Sequence, residues 1–572
     1  MPLKPSQRSR AQESRAAIQR LYIAMRHLFI RGNYKPLGVS GEAIIEALTQ
    51  LRPEIYGSIN DPERVELDGL LYIFQRLPRG IEECRYIKLI SREGFEDSHF
   101  EPIIPSKRRR NSYRIDQEQM YIEMTRGRSD IYDILTHLTF MYIEAEKIRR
   151  NSEDHKQRKR REWEMLEQIV DLEEKGEAYN KEIAYTYLST LLGRTYEETV
   201  EACQRFGKAS DVNSVFQITY WLGKLATEEA VDEKDREISF SSALREKIGH
   251  HYYGDLWARN IKSALLERNL LERPIHIISA NLHSVMNTLY APATLGTENE
   301  IEDLARSLSD PINEEMRQRV YKHAIRNGMI QIDDTSGTNI SVQIIDTTKL
   351  DLTTLPPTLE KDEAYIQAEK PVILVMDYAF GEQAYETMDE LLKPFEYRER
   401  EKTPLEVRSI SIMGKAGILE GGKGDIMIPD AHVFEGTADN YPIENKMSPE
   451  DFRDSGLGVS TGPMITVMGT SLQNRDILRY FLRSSWKAAG LEMEGAHYQK
   501  AIQAASKIRK SINENVSLCY AYYASDNPLI SGQTLASGSL GADGVKPTYL
   551  ITTKFLNRIL CPAVSKPQPQ DL

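Results

Sequence analysis

The chain has 572 residues, of which 40% are hydrophobic and 28% charged, and its net charge is −12. Such a length suits two to four folding units rather than one core, and the composition is that of a globular protein. The acidic balance argues against a general nucleic-acid binder, and no apolar stretch reaches the ~18–20 residues that span a bilayer.

The first fifteen residues are basic and polar with no apolar core, so they do not read as a secretory signal. Their Arg and Ser content leaves an organellar transit peptide as the alternative. Cys84, Cys203, Cys519 and Cys561 lie far apart, with no CxxC pair and no metal-ligand spacing. Scattered thiols suit a reducing cytoplasm better than a disulfide framework. A soluble, cytoplasmic protein is therefore expected, with no metal.

From about residue 10 to 270 the texture is helical. Residues 129–149 and 163–175 place apolar side chains at three- and four-residue spacing, and 185–192 and 215–225 continue the pattern. Residues 85–120 are less regular and suit a short hairpin or a loop. Two basic runs stand out, 107–110 and 156–161. The first reads as a solvated loop that could instead hold a phosphate or another chain, and the second as a solvated helix face. His250-His251 catches the eye, but neighbours on a helix point in different directions and make a poor metal site. A mostly helical amino-terminal domain, 1–265, is expected, with no catalytic constellation in it.

After Arg273-Pro274 short β-branched runs appear, at 275–279, 340–345, 372–376, 409–412, 464–468 and 518–524. Amphipathic helical stretches intervene at 384–392, 475–489, 495–509 and 548–560. Strands alternating with helices predict a mostly parallel α/β sheet over 270–560, and such sheets bind ligands off the carboxyl ends of their strands. Residues 561–572 read as a flexible tail.

At those ends the sequence places two acidic segments. Gly490-Leu491-Glu492-Met493-Glu494-Gly495-Ala496 sets two carboxylates around a methionine and leads into a helix. About thirty residues on, a strand delivers Ser525-Asp526-Asn527-Pro528, whose proline forces a turn after the aspartate. Breaking a base–sugar bond passes through a cation-like sugar, which carboxylates stabilise. It also needs an acid to protonate the departing base, worth about 10²–10⁴-fold. Each segment also has a plainer explanation, since acids favour helix starts and Ser-Asp is common in turns.

The region 270–560 resembles the nucleoside phosphorylase/nucleosidase superfamily, in which purine nucleoside phosphorylases, methylthioadenosine nucleosidase and AMP nucleosidase fall. Four stretches in order carry the likeness: 372–392, with a strand, glycine turn and helix; 409–430, with a strand and a Gly414-Lys415-Ala416-Gly417 turn; Glu492-Met493-Glu494; and Ser525-Asp526. The run Ser-Asp-Asn-Pro-Leu is most similar to AMP nucleosidase. The resemblance implies a central mixed sheet flanked by helices, no cofactor, a purine nucleotide or nucleoside as ligand, and a homo-oligomer. Residue by residue, Glu494 would hold the ribose hydroxyls, Met493 would pack on the sugar and Asp526 would donate towards the purine N7. Glu492 is as well suited to bracing the turn. Gly414, Ala416 and Gly417 would bring backbone to base and sugar, and Ser471 and Leu472 would line the base pocket. The chain departs from the family near 275–285, where Asn281, His283 and Ser284 stand in place of a water-activating glutamate. His283 is a candidate base, although a lone histidine is more often structural.

Hexameric phosphorylases of that superfamily carry a phosphate-gripping arginine three residues before the serine of the central turn. Here those positions are Ile412 and Lys415. An apolar side chain cannot bind a dianion, whereas a lysine can hold a substrate phosphate. Hydrolysis is therefore expected over phosphorolysis, with a 5′-phosphorylated substrate such as AMP ahead of a free nucleoside. Lys423 is a second candidate cation. The alternatives are a phosphate-dependent phosphorylase and a non-catalytic nucleotide sensor read out by the helical half.

Overall fold

The helical periodicity of the first 250 residues becomes nine α-helices among the described residues of the computed structural model, which are 9–156, 158–296, 300–398, 401–437, 439–530 and 540–562. Several begin where a short polar side chain caps free backbone amides: Ser9 and Thr195 form capping boxes with Gln12 and Glu198, and Asn180, Ser214 and Ser241 cap singly. The chain divides into two units, Met1–His250 with Ser471–Ile477, and His251–Thr470 with Leu478–Leu572. From residue 563 the expected tail lies outside the described residues, as do the first eight of the basic amino-terminal segment.

The first unit is not only helical. Its strands β1 (Asn33–Tyr34), β2 (Tyr86–Ile90), β3 (Ser112–Arg114), β4 (Gln119–Glu123) and β5 (Glu237–Phe240) form one sheet in the order β1-β5-β2-β4-β3. Three of them occupy the region expected to be a hairpin or loop. They are two to five residues long, too short for a period to stand out. The first basic run is likewise not a solvated loop throughout. Arg110 is 2% exposed and bonds Asp130 at 2.8 Å, and Arg108 reaches Asp133 at 2.9 Å. Both acids lie on one buried face of the helix Gly127–Asn151, three residues apart, and so draw the guanidinium groups inward. The second run leads into the helix Arg161–Lys175 rather than lying along its face.

In the second unit, strands β6 (Ile275–Ser279), β7 (Met329–Ile332), β8 (Val342–Asp346) and β9 (Val372–Met376) precede a separate hairpin, β10 (Phe395–Arg398) and β11 (Glu401–Thr403). Then follow β12 (Val407–Ile418), β13 (Ile426–Phe434), β14 (Asn440–Pro442), β15 (Val459–Thr466), β16 (Gly490–Glu492) and β17 (Ser517–Asp526). Apart from that hairpin they make a ten-stranded mixed sheet ordered β14-β13-β15-β16-β12-β6-β9-β8-β7, with β17 paired to both β12 and β13. The pairings β12–β17–β13–β15–β16–β12 close a ring, so five strands curl into a barrel-like end while β6 to β9 extend as an open sheet.

Strands β6 and β9 are buried along their whole length, as expected for parallel strands covered on both faces. Ile275, Ile277, Val372 and Leu374 face one core with Trp257, Met388 and Tyr498. Ile278, Ile373 and Val375 face the other with Val285, Leu289 and Phe555. Trp257 belongs to the helix Tyr252–Glu267, which periodicity assigned to the amino-terminal domain. Its indole donates to the Ile340 carbonyl at 2.9 Å, inside the second unit. The boundary accordingly falls at His250–His251 rather than near 265.

Candidate active site

The Gly414-Lys415-Ala416-Gly417 segment is not a turn. Strand β12 runs through it to Ile418, pairing Gly414 with Tyr522 and Ala416 with Ala524. A side chain at Gly414 would meet the Tyr522 ring at 3.3 Å, so the strand continues because glycine lets the neighbour in. One residue is extra on the partner strand: Ala416 pairs with Ala524 but Gly417 pairs with Asp526, which leaves Ser525 as a bulge. Bulges re-aim side chains at sheet ends, and this one turns Asp526 into the unit's interior.

Asp526 is wholly buried. Its Oδ1 lies 2.5 Å from the Ser525 hydroxyl, and its Oδ2 has no hydrogen-bond partner among the described residues. Burial raises its pKa, opposed by the Ser525 hydrogen bond and by the charges of Lys415 and Lys423. The glycine loop brings Lys423 near: Gly424, in the left-handed region at φ 85°, donates to the Ala524 carbonyl at 2.9 Å, and Ala524 donates to Asp425 at 2.8 Å.

Across β12, strand β16 delivers the second acidic segment. Glu492 is buried and its two oxygens are spent on structure. Oε1 accepts the Thr466 hydroxyl at 2.5 Å, and Oε2 accepts the backbone amides of Glu494 and Gly495. Burial still pushes its carboxyl up to about 7, because it has no cationic partner. Glu494 begins the helix Gly495–Gln503, and its Oε1 accepts the Gly381 amide at 2.9 Å. Burial and then the nearby Glu492 charge push the Glu494 carboxyl up to about 8, while Lys415 acts in the opposite sense. Met493 between them is 8% exposed. Lys415 thus bears electrostatically on both Glu494 and Asp526.

Gly495 allows this turn. A Cβ there would lie 2.2 Å from the His432 ring and 2.7 Å from the Tyr522 hydroxyl, which are themselves hydrogen-bonded at 2.9 Å. His432 is fully buried and burial holds it neutral, down to about 3.

Sequence reasoning named the glycine turn after β9 but gave it no role in the site. There Gly381 bonds Glu494, and the Ala379 amide bonds the Tyr498 hydroxyl, which also lies 3.0 Å from the Ser279 hydroxyl. The Tyr378 side chain bonds Tyr523 and Asn281. The one available signal was Tyr498 itself, four residues after Glu494 and hence on the same helix face.

The remaining expected residues are held in other ways. His283 is exposed on the first turn of the helix Leu282–Leu295, whose start Asn281 caps at 2.8 Å. Ser471 and Leu472 belong to the first unit, where Ser471 bonds the Tyr56 hydroxyl and the Gln473 carbonyl accepts from the Glu54 amide at 2.9 Å. Ile412 is buried in the core beneath β12. His251, a helix N-cap rather than a mid-helix residue, does approach two acids, with Asp389 and Glu390 close enough for ligand-type atoms to lie within 4.8 Å. Those acids are neutralised by Arg509 at 2.6 Å and Lys393 at 2.6 Å, so the charge a cation would need is already taken.

Lys415 on β12 thus acts on both Asp526, at the carboxyl end of the parallel strand β17, and Glu494, just past the antiparallel strand β16, with Met493 between Glu492 and Glu494. In structure the chain is similar to 5′-methylthioadenosine/S-adenosyl homocysteine nucleosidase of Campylobacter jejuni, at 11% identity and a TM-score of 0.30 over 50% of this chain and 98% of that one. It is similar to futalosine hydrolase of Helicobacter pylori, at 13% identity and 0.29 over 50% and 96%, and to purine nucleoside phosphorylase of Toxoplasma gondii, at 14% and 0.29 over 50% and 92%. No curated protein matches the sequence. A family of unknown function, DUF6909, matches residues 42–324 and 304–561, together most of the chain, and the protein belongs to that family.

Proposed function

We propose that the second unit hydrolyses the N-glycosidic bond of a purine nucleotide, releasing free base and ribose 5-phosphate. The observation that carries this is Asp526: a buried carboxyl with raised pKa and one oxygen unbonded among the described residues. Burial favours the protonated form of such a group, and its free oxygen at the strand end is the place from which a proton can be passed to a bound base.

In the reaction the C1′–N9 bond breaks and its electron pair leaves with the base. Asp526 gives its proton to N7, so that the base departs neutral. Water adds to C1′ and loses a proton, which restores the acid through solvent. Glu494, whose carboxyl burial pushes up to about 8, hydrogen-bonds the ribose hydroxyls, and the cation-like sugar of the transition state draws its proton off, so that the carboxylate forms where positive charge develops at C1′. Met493 packs on the sugar and excludes water. Glu492, fully engaged with Thr466 and two amides, serves as the brace of that turn. Lys415 meets the substrate phosphate.

The buried, apolar Ile412 supports water over phosphate as the acceptor, since it offers no donor to a dianion. A nucleotide panel with and without inorganic phosphate tests this directly. Free base and ribose 5-phosphate without added phosphate are expected. Ribose 1-phosphate formed only with phosphate would make it a phosphorylase. Ligand binding with no base release from any purine substrate would make it a sensor.

A further inference from the structure

The first unit holds a cavity of about 370 Å³ among the helices Lys181–Leu192, Tyr196–Gly207 and Val215–Val231 and the end of Arg161–Lys175. That volume is in the range of small-molecule sites, roughly 300–1,000 Å³. Aromatic rings line it: Tyr185 stacks on Phe216 at 5.9 Å between centroids, and Tyr179 meets Phe216 edge-on at 5.8 Å. Among them stands one carboxylate, Glu173.

Glu173 is held in place by neutral groups alone. The Tyr179 hydroxyl donates to one oxygen at 2.5 Å and the Ser214 hydroxyl to the other at 2.6 Å. Ser214 also caps the helix Val215–Val231, accepting the Gln217 amide at 3.1 Å, so its position is set from both sides. Lys175, two residues on, pairs with Asp171 instead. Lys181 lies exposed at the rim, and among the described residues no ion pair forms to Glu173. Burial and then Glu173 raise the Tyr179 hydroxyl's pKa and push the Cys203 thiol up to about 12. Glu173 is half-buried and has no cationic partner among the described residues, with two of its roughly four lone-pair sites still open.

Ligand classes separate on this chemistry. An anion is repelled by Glu173. A neutral apolar ligand would bury the carboxylate without a counter-charge. A divalent metal needs six or more oxygens or a tight polyhedron, which one carboxylate and phenol rings do not supply. An organic cation satisfies both features, because ring faces are negative and attract ammonium groups, most strongly where water is excluded.

We propose that this cavity binds a small organic cation of the alkylammonium class, held against the rings of Tyr179, Tyr185 and Phe216 with Glu173 as its counter-ion. The site is independent of the chemistry proposed for the second unit.

Titration calorimetry on the full chain tests it, with choline as probe and its uncharged isostere 3,3-dimethyl-1-butanol as control. Saturable one-site binding of choline is expected, with the isostere at least about tenfold weaker, and about tenfold losses on Glu173→Gln and on Tyr185→Leu. The proposal is overturned if choline shows no saturable binding by millimolar concentrations, if the isostere binds equally well, or if neither substitution weakens choline. Should Glu173→Gln fail to fold, Tyr185→Leu, which keeps apolar volume but removes the ring, decides by the same comparison.

Discussion

The carboxylate of Glu492 accepts the backbone amide of Glu494, two residues on, so one acid of the pair builds the turn that carries the other. The pair is therefore unequal in chemistry despite its symmetry in sequence. Glu492 has both oxygens occupied by Thr466 and the backbone. Glu494 is tied through one oxygen to Gly381, while burial and the Glu492 charge keep its carboxyl near 8.

Replacing Asp526 by Asn keeps the shape and removes the proton. Base release should fall about 10²–10⁴-fold, with nucleotide affinity changed by less than about tenfold. Chromatography of the released base and equilibrium binding of the same nucleotide measure the two effects. Loss of both together would point to a structural role for Asp526.

Stability should fall as pH rises. Glu494 moves from 4.5 in the unfolded chain to about 8 when folded, so above about pH 4.5 the folded state holds a proton that the unfolded chain has released. Its contribution is complete below the unfolded value and is lost as pH climbs through the folded one. Glu492, and Glu82 and Glu144 in the first unit, act in the same sense up to about 7. Calorimetric melting across this window should show the decline, and Glu494→Gln should flatten its upper end. Parallel curves for the two proteins would contradict a raised Glu494.

A methyl group at Gly495 has nowhere to go. With its position 2.2 Å from His432 and 2.7 Å from the Tyr522 hydroxyl, Gly495→Ala should cost about 1–3 kcal/mol or more. Chemical denaturation reads this, and base release should drop as the Glu494 turn shifts.

Lys415 separates nucleotide from nucleoside. Lys415→Met removes a charge-assisted contact of about 1.5–3 kcal/mol, so the preference for AMP over adenosine in kcat/KM should shrink about ten- to a hundredfold. The same change removes a cation that lowers both Glu494 and Asp526, so any pH profile of base release should move upward. An unchanged AMP-to-adenosine ratio would exclude Lys415 from phosphate recognition.

Three strands of the open part of the second unit's sheet, β6, β8 and β9, were legible in the sequence, but β7 and the antiparallel pairing of β8 with β7 and β9 were not. Strands β6 and β9 coincide with the runs 275–279 and 372–376, because a strand covered on both faces is mostly apolar, with His276 and Ser279 the buried polar exceptions in β6. The acidic segments were legible too, since Glu492, Met493 and Glu494 are adjacent in the chain. What failed did so for a common reason. Gly414 to Gly417 reads as a turn in isolation, yet β17 pairs along it and makes it strand. Arg108 and Arg110 read as solvated until the helix Gly127–Asn151 offers Asp130 and Asp133.

The sequence by itself determined where most of the helices and the fully buried strands form and which segments carry acids, because period, caps and local spacing are properties of neighbours in the chain. The tertiary structure alone decided what those acids are. Gly381, 113 residues from Glu494, holds one of its oxygens, and a single bulged residue, Ser525, aims Asp526 inward. Proton affinity depends on water, charge and donors around a group, and folding supplies those from distant parts of the chain.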